Sequence, residues 1–143
     1  MNCGILYLYT RLIEKKYFLY RKDGEGMTIL EIKEILGARV LSGEEWLTKE
    51  VHTACGSDMM SDVLAFVKDQ AVLLTGLCNP QVIRTAIMLD MVCVVFVRSK
   101  TPTEEILALA KESGIVVMST TKTLYESCGI IYSAGLSGKE KIG

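Results

Sequence analysis

The residues of this chain that are best suited to chemistry are those that could bind an anion. Thr75 and Gly76 end an apolar segment, and Asn79 and Pro80 follow in the order of a helix N-cap and a first helical residue. Backbone N–H groups at a helix start are free to donate hydrogen bonds, and the helix dipole is positive there. The sequence therefore predicts a site for a phosphate or carboxylate where a strand runs into a helix.

We expect this site to extend along one edge of a sheet, because α/β proteins bind ligands where the C-terminal ends of parallel strands meet. Gly76 would allow close approach of a ligand, and Arg98 would supply a fixed positive charge. Arg84 would either join the site or pair with Asp62 or Asp90. The predicted ligand-binding residues are Thr75, Gly76, Asn79, Arg84, Arg98, Ser119, Thr120 and Thr121. The alternative is that the first three of them only build a tight turn.

Patterns of the common catalytic and metal sites are absent from the sequence. It has no GxxxxGK[ST] phosphate-binding loop, no GxSxG and no HExxH. The five cysteines form no CxxC pair and His52 is the single histidine, so we expect neither a metal site nor a cofactor. Asp58 and Asp62 could act as paired carboxylates, but solvated positions near a helix start explain them better. We therefore predict that the protein is not an enzyme.

Around these residues, helix and strand patterns alternate from Met27 onward. Thr28 and Glu31 form a capping box for an amphipathic helix that stops near Gly37. Apolar segments predict strands at residues 38–41, 50–54, 71–75, 92–97 and 115–118. The other predicted helix starts are Ser57 or Asp58, Asn79, Thr101, and Thr120 or Thr121. This order predicts a three-layer α/β/α domain with a mostly parallel sheet of about four to five strands.

Length and composition indicate one domain in an aqueous, reducing compartment. The chain has 143 residues, of which half are hydrophobic, and a formal net charge of −1. Such a charge favours neither nucleic acid nor an anionic membrane as a partner. No apolar run approaches the roughly twenty residues of a membrane span. An odd number of cysteines without framework spacing suits the cytoplasm, where we expect the protein to be.

Residues 1–26 differ from the rest of the chain, since they hold four of the six tyrosines. We expect them to be an extension upstream of the natural start at Met27, although an amphipathic helix that binds a partner is the alternative. The domain would then comprise residues 27–136, followed by a loose tail at 137–143.

Residues 27–136 resemble a DRTGG domain. The segments that carry the resemblance are residues 61–64, 74–76, 79–85 and 95–98. The resemblance implies a fold similar to the N-terminal domain of HPr kinase/phosphorylase, without the separate kinase domain that holds its phosphate-binding loop. DRTGG domains also occur as inserts in CBS-type pyrophosphatases. The resemblance further implies a regulatory or assembly role and association into a homodimer.

Together these observations favour a non-catalytic, ligand-sensing module that binds a small anion such as an adenine nucleotide. One alternative is a protein–protein assembly module that binds no small ligand. Another is an unrecognised enzyme that uses Asp62, Thr75 and Arg84. The sequence names neither the ligand nor the partner that the module would regulate.

Overall fold

The protein was analysed as a computed structural model that describes Gly4 and residues 26–66 and 70–138. Predictions about the extension 1–26 therefore fall almost wholly outside the described residues, as do those for most of the tail. Within the described ranges the strands are β1 (Met27–Thr28), β2 (Arg39–Ser42), β3 (Glu50–Val51), β4 (Thr53–Gly56), β5 (Ala71–Thr75), β6 (Cys93–Phe96) and β7 (Val116–Ser119). The helices are α1 (Ile29–Leu36), α2 (Met60–Phe66), α3 (Pro80–Met88), α4 (Glu104–Glu112) and α5 (Leu124–Ser133), with a 3-10 turn at Glu44–Trp46.

Five of these strands form one sheet in the order β2-β7-β6-β5-β4. The strands β4, β5, β6 and β7 are parallel, and β2 is antiparallel to β7 with an irregularity between Val40 and Ser42. Strands β1 and β3 form a separate antiparallel pair. The predicted α/β fold with a mostly parallel sheet is confirmed.

Helices cover both faces of the sheet, as the side chains of β5 show by alternating between two apolar clusters. Val72 and Leu74 pack with α1 and α5 on one face, whereas Ala71 and Leu73 pack with α2, α3 and α4 on the other. All five residues of β5 are buried, as expected for an internal strand between two helical layers. The central strands are thereby packed on both faces.

Local patterns explain where several elements begin and end. Thr28 and Glu31 form the predicted capping box of α1, and Gly37 ends that helix in the left-handed conformation with φ 58°. The predicted strand at 71–75 has the observed bounds of β5, and Asn79 and Pro80 start α3 as expected. In these places neighbours in the sequence determine the structure.

Other predicted boundaries are wrong. The strand expected at 50–54 is interrupted at His52, so β3 pairs with β1 while β4 joins the main sheet. Helix α2 begins at Met60, two residues beyond Asp58, which was predicted as a possible cap. A helix cap predicted at Thr101 lies at Thr103 instead, whose side chain accepts from Ile106 N.

The last helix is capped by Thr123 and not by Thr120 or Thr121 as predicted. The Thr120 hydroxyl donates to Leu36 O at 2.8 Å, so it binds the end of α1 instead of the start of α5. The Thr123 side chain accepts from Glu126 N. Among the described residues, every helix is too short or too polar to cross a membrane.

Candidate functional site

Strands β5, β6 and β7 end side by side at one edge of the sheet. Thr75, Phe96 and Ser119 are paired across these three strands in the parallel ladder. Their loops therefore leave the sheet together. We call the group formed by Asp58 and residues 75–79, 97–100 and 119–123 the rim. It contains every predicted ligand-binding residue except Arg84.

Asp58 joins the rim from the loop between β4 and α2. Its Oδ1 atom accepts a hydrogen bond from Gly76 N at 2.7 Å and another from Thr75 Oγ1 at 3.2 Å. The Thr75 hydroxyl in turn accepts from Leu77 N at 3.1 Å. Thr75 is fully buried, so these bonds fix the first residues of the loop after β5. Gly76 N is thus already paired and does not need an external anion.

Arg98 lies against the other side of Gly76. A Cβ atom added to Gly76 would lie 2.6 Å from Arg98 Nη2, closer than real Cβ atoms approach other atoms. Gly76 does not have a positive φ, so the backbone alone does not demand glycine here. The Arg98 guanidinium occupies the space that a side chain at position 76 would take.

An unusual turn after β6 gives Arg98 this position. Arg98 and Ser99 both have φ of 56°, in the left-handed region that non-glycine residues rarely adopt. Hydrogen bonds from Arg98 N to Lys122 O at 2.8 Å and from Ser99 N to Thr120 O at 2.9 Å hold the turn against the loop after β7. Such strain persists only where the surroundings impose it, and it is typical of ligand sites.

Asn79 begins α3 without using its side chain as a cap. Its backbone is extended, with φ −145° and ψ 166°, and the side chain makes no capping hydrogen bond. The Oδ1 atom is buried and has no hydrogen-bond partner among the described residues. A buried acceptor without a partner is costly, and Asn79 Oδ1 is the one such atom at the rim among the described residues.

Ser119 at the end of β7 and the two threonines that follow it have different environments. The Ser119 hydroxyl donates to Lys100 O at 3.0 Å. Thr120 is 2% exposed, and its hydroxyl donates to the end of α1. Thr120 therefore connects the rim to α1 and does not face a ligand. Thr121 is exposed, so its hydroxyl is open to solvent at the rim. Of these three, Thr121 is the best placed to reach a ligand.

Arg84 lies apart from this arrangement, one turn into α3. Its side chain is exposed, and it forms no ion pair with Asp62, Asp90 or any other described carboxylate. The structural pairing that the spacing allowed is therefore absent. Because Arg84 is exposed near the start of α3 and is not paired with a described carboxylate, it could contact a ligand that extends outward from Asn79.

Two lysines add positive charge to the rim. Lys100 is exposed and lies near enough to Cys78 for its charge to act on that thiol. Lys122 is half-buried in the loop after β7. Neither ammonium group has a hydrogen bond or ion pair with a described residue. With Arg98, these lysines outnumber the single carboxylate of Asp58 and make the rim locally cationic.

Cys78 lies at the rim but is not an activated thiol. Burial raises the pKa of the Cys78 thiol, and the nearby Lys100 charge opposes this effect only in part. The raised pKa disfavours the thiolate that a helix start could otherwise favour. No group of three potential metal ligands occurs among the described His, Cys, Asp and Glu residues.

Sequence reasoning missed Asp58, Lys100 and Lys122 as members of the rim. Asp58 follows β4, whose C-terminal end lies beside that of β5, so correct placement of β4 would have revealed it. The lysines follow β6 and β7 directly in the sequence, and their place after predicted strands was an available signal. The contact between Arg98 and Gly76 had no signal within the sequence.

Comparisons with known proteins give a family and a fold. The model of the DRTGG domain family matches residues 31–134. No curated protein matches the chain.

Among solved structures, the chain is similar to the CBS and DRTGG domains of the regulatory region of Clostridium perfringens pyrophosphatase, complexed with its activator diadenosine tetraphosphate. The TM-score is 0.66 at 17% sequence identity, over 87% of this chain and 56% of that one. The chain thus corresponds to about half the length of that regulatory region, and at this identity the likeness establishes the fold alone.

Proposed function

The chain belongs to the DRTGG domain family of regulatory domains, and we propose that it senses an adenine nucleotide or a related small anion at the rim. The protein would respond to the ligand by changing its contacts with a regulated partner, and it would not transform the ligand. We place this activity in the cytoplasm, where such nucleotides occur.

The observation that carries this proposal is the position of Arg98. Arg98 and Ser99 form a left-handed turn that brings the Arg98 guanidinium against Gly76, and no ion pair joins it to a described carboxylate. A fixed, unpaired guanidinium suits phosphate because it presents several N–H donors in a planar fork. The uncompensated charges of Lys100 and Lys122 strengthen the attraction for an anion.

The solved relative supports the choice of an adenine nucleotide. Its regulatory region binds an activator that has adenosine at both ends of a phosphate chain. That region contains CBS domains as well as DRTGG domains, so the complex supports the class of ligand and leaves the rim to be tested directly.

A thermal-shift screen tests the proposal. The full chain is melted with adenosine mono-, di- and triphosphate, diadenosine tetraphosphate and tripolyphosphate. A ligand at about 100 times its dissociation constant should stabilise the fold by about 2.7 kcal/mol. Arg98→Ala should remove this stabilisation while it changes the unliganded stability by less than about 1 kcal/mol, because the residue is exposed.

Lys111→Ala provides the matched control. Lys111 is also an exposed cation, but it lies in the last turn of α4, at the opposite edge of the sheet. This variant should keep the full response. A response that survives Arg98→Ala would show that the ligand binds away from the rim.

Assembly without a small ligand is the second candidate function, and the outer face of α5 favours it. Tyr125 and Tyr132 are 90% and 70% exposed, and the spacing places them on one side of the helix with the exposed Gly129 between them. Exposed aromatic side chains are common in protein interfaces. We propose that this face joins two copies of the chain in a homodimer. Sedimentation of the full chain would measure its oligomeric state, and the double substitution Tyr125→Ser and Tyr132→Ser should convert the dimer to a monomer.

An unrecognised enzyme that uses Asp62, Thr75 and Arg84 is the least supported alternative. The Thr75 hydroxyl is fully buried and holds hydrogen bonds to Asp58 and Leu77, so it is poorly placed to react with a ligand. Asp62 and Arg84 are exposed without a mutual ion pair. Conversion of a nucleotide to product during a long incubation with the protein would support this alternative.

A further inference from the structure

Asp58 is the second charged group beside Gly76, and its charge is opposite to that of Arg98. Its Oδ1 atom accepts both of the protein hydrogen bonds, from Gly76 N and Thr75 Oγ1. The Oδ2 atom accepts none from a described residue, and the side chain is exposed. A carboxylate has about four acceptor positions, so Asp58 is anchored by one oxygen and open at the other.

Asp58 and Arg98 lie close together without forming an ion pair. Both lie against Gly76, yet no ion pair of 4.0 Å or less joins them. The rim therefore presents an acceptor on the β4 side and a cation on the β6 side of one glycine. This arrangement fits a ligand that has hydrogen-bond donors at one end and negative charge at the other.

We propose that Asp58 accepts hydrogen bonds from the vicinal ribose hydroxyls of a nucleotide whose phosphates lie toward Arg98. This inference rests on the proposed function and gives the rim its selectivity. Hydroxyl groups can donate to the open Oδ2, and hydrogen bonds to a charged acceptor are stronger than neutral ones. A free polyphosphate has no such donor and is repelled by the same carboxylate, so Asp58 discriminates against it.

The test compares three anions by calorimetry on the full chain: ATP, 2′,3′-dideoxy-ATP and tripolyphosphate. The parent protein should bind the dideoxy nucleotide roughly tenfold or more weakly than ATP, because two donors to a charged acceptor are lost. Asp58→Asn keeps an oxygen that can accept from Gly76 N, so the loop stays anchored. In this variant the preference for ATP over the dideoxy nucleotide should fall to about twofold or less, and tripolyphosphate should bind more tightly.

Asp62→Asn is the matched control, since Asp62 is an exposed carboxylate in the first turn of α2 that makes no hydrogen bond with the rim. It should preserve the parent's preferences. The role of Asp58 is overturned if the parent binds ATP and the dideoxy nucleotide equally, or if Asp58→Asn keeps the discrimination. Provided that Arg98→Ala still abolishes ATP binding, the proposed function would survive either result. If neither ATP nor tripolyphosphate binds the parent, both proposals fail.

Discussion

The two edges of the parallel sheet differ in how they use their polar groups. At the opposite edge, Lys49 Nζ donates to Gly114 O at 3.2 Å and lies 5.2 Å from the centre of the Trp46 ring. The Lys49 ammonium group therefore links the 3-10 turn to the loop before β7. At the rim, Arg98, Lys100 and Lys122 have no such partner among the described residues.

The edges also differ in their left-handed residues. The opposite edge uses glycine at Gly43 and Gly114, together with single positive-φ positions at Gln70 and Asp90. Only at the rim do two adjacent non-glycine residues share this conformation within the described chain. Glycine would adopt the left-handed conformation more easily than arginine. The presence of arginine at position 98 therefore indicates that its side chain matters more there than the stability that glycine would add. The comparison separates a scaffold edge from the edge at which we propose that a ligand binds.

The largest expected effect is that of Gly76→Ala on ligand response. The new Cβ would meet Arg98 Nη2 at 2.6 Å, so the guanidinium must leave its place. Because the obstacle is the end of a flexible side chain and φ is not positive, the unliganded stability should fall by less than about 1 kcal/mol. Most of the ligand stabilisation should disappear in a thermal-shift assay. An unchanged response would mean that the observed position of Arg98 is not needed for binding.

Thr75→Val should have the next largest effect, this time on the fold at the rim. The valine keeps the shape of threonine but loses the hydrogen bonds to Asp58 and Leu77 N. We expect a loss of about 2 kcal/mol in the free energy of unfolding, because a buried polar network is broken. Urea unfolding measures this loss. A neutral result would show that the hydroxyl network does not stabilise the loop.

Gly114→Ala tests the scaffold edge. Its φ of 71° is strained for alanine, so we expect a loss of about 1 kcal/mol in unfolding free energy. The ligand response, measured as the shift in Tm relative to the unliganded variant, should be unchanged. If this substitution weakens ligand binding as much as Gly76→Ala does, the distinction between the two edges is wrong.

Ser99→Gly should have the smallest effect, and of opposite sign. Glycine relieves the left-handed strain at 99 but increases the entropy of the unfolded chain, so a net gain of roughly 0.5 kcal/mol is expected. Ligand binding should persist because Arg98 is kept. A marked loss of stability would show that the serine side chain, and not the strain, dominates at this position.

Much of the scaffold could be predicted because its causes are local. The run of apolar residues at 71–75, the Asn79-Pro80 helix start and the capping box at Thr28 each depend on close neighbours in the sequence. The cap of α5 could not be predicted in the same way. Three threonines compete near that helix start, and the hydroxyl of one of them binds α1, more than eighty residues earlier in the chain.

The location of the candidate site could be predicted from the sequence, but the contacts between its residues could not. The strand ends had to meet once the sheet was known to be parallel, and this brought Thr75, Arg98 and Ser119 to one edge. The opposed charges of Asp58 and Arg98 depend on β4, which was placed wrongly, and on a left-handed turn that the residues themselves disfavour. Such features arise from tertiary constraints, and periodicity does not reveal them.

The pairing of β2 with β7 has a consequence for the order in which the protein folds. Strand β2 finds its partner only after more than seventy further residues, so this contact closes a long loop and should form slowly. Until β7 is in place, the carbonyl of Leu36 lacks Thr120 and the turn at Arg98 lacks its acceptors at Thr120 and Lys122. During synthesis, the rim should therefore be completed late, only after β7 has joined the sheet.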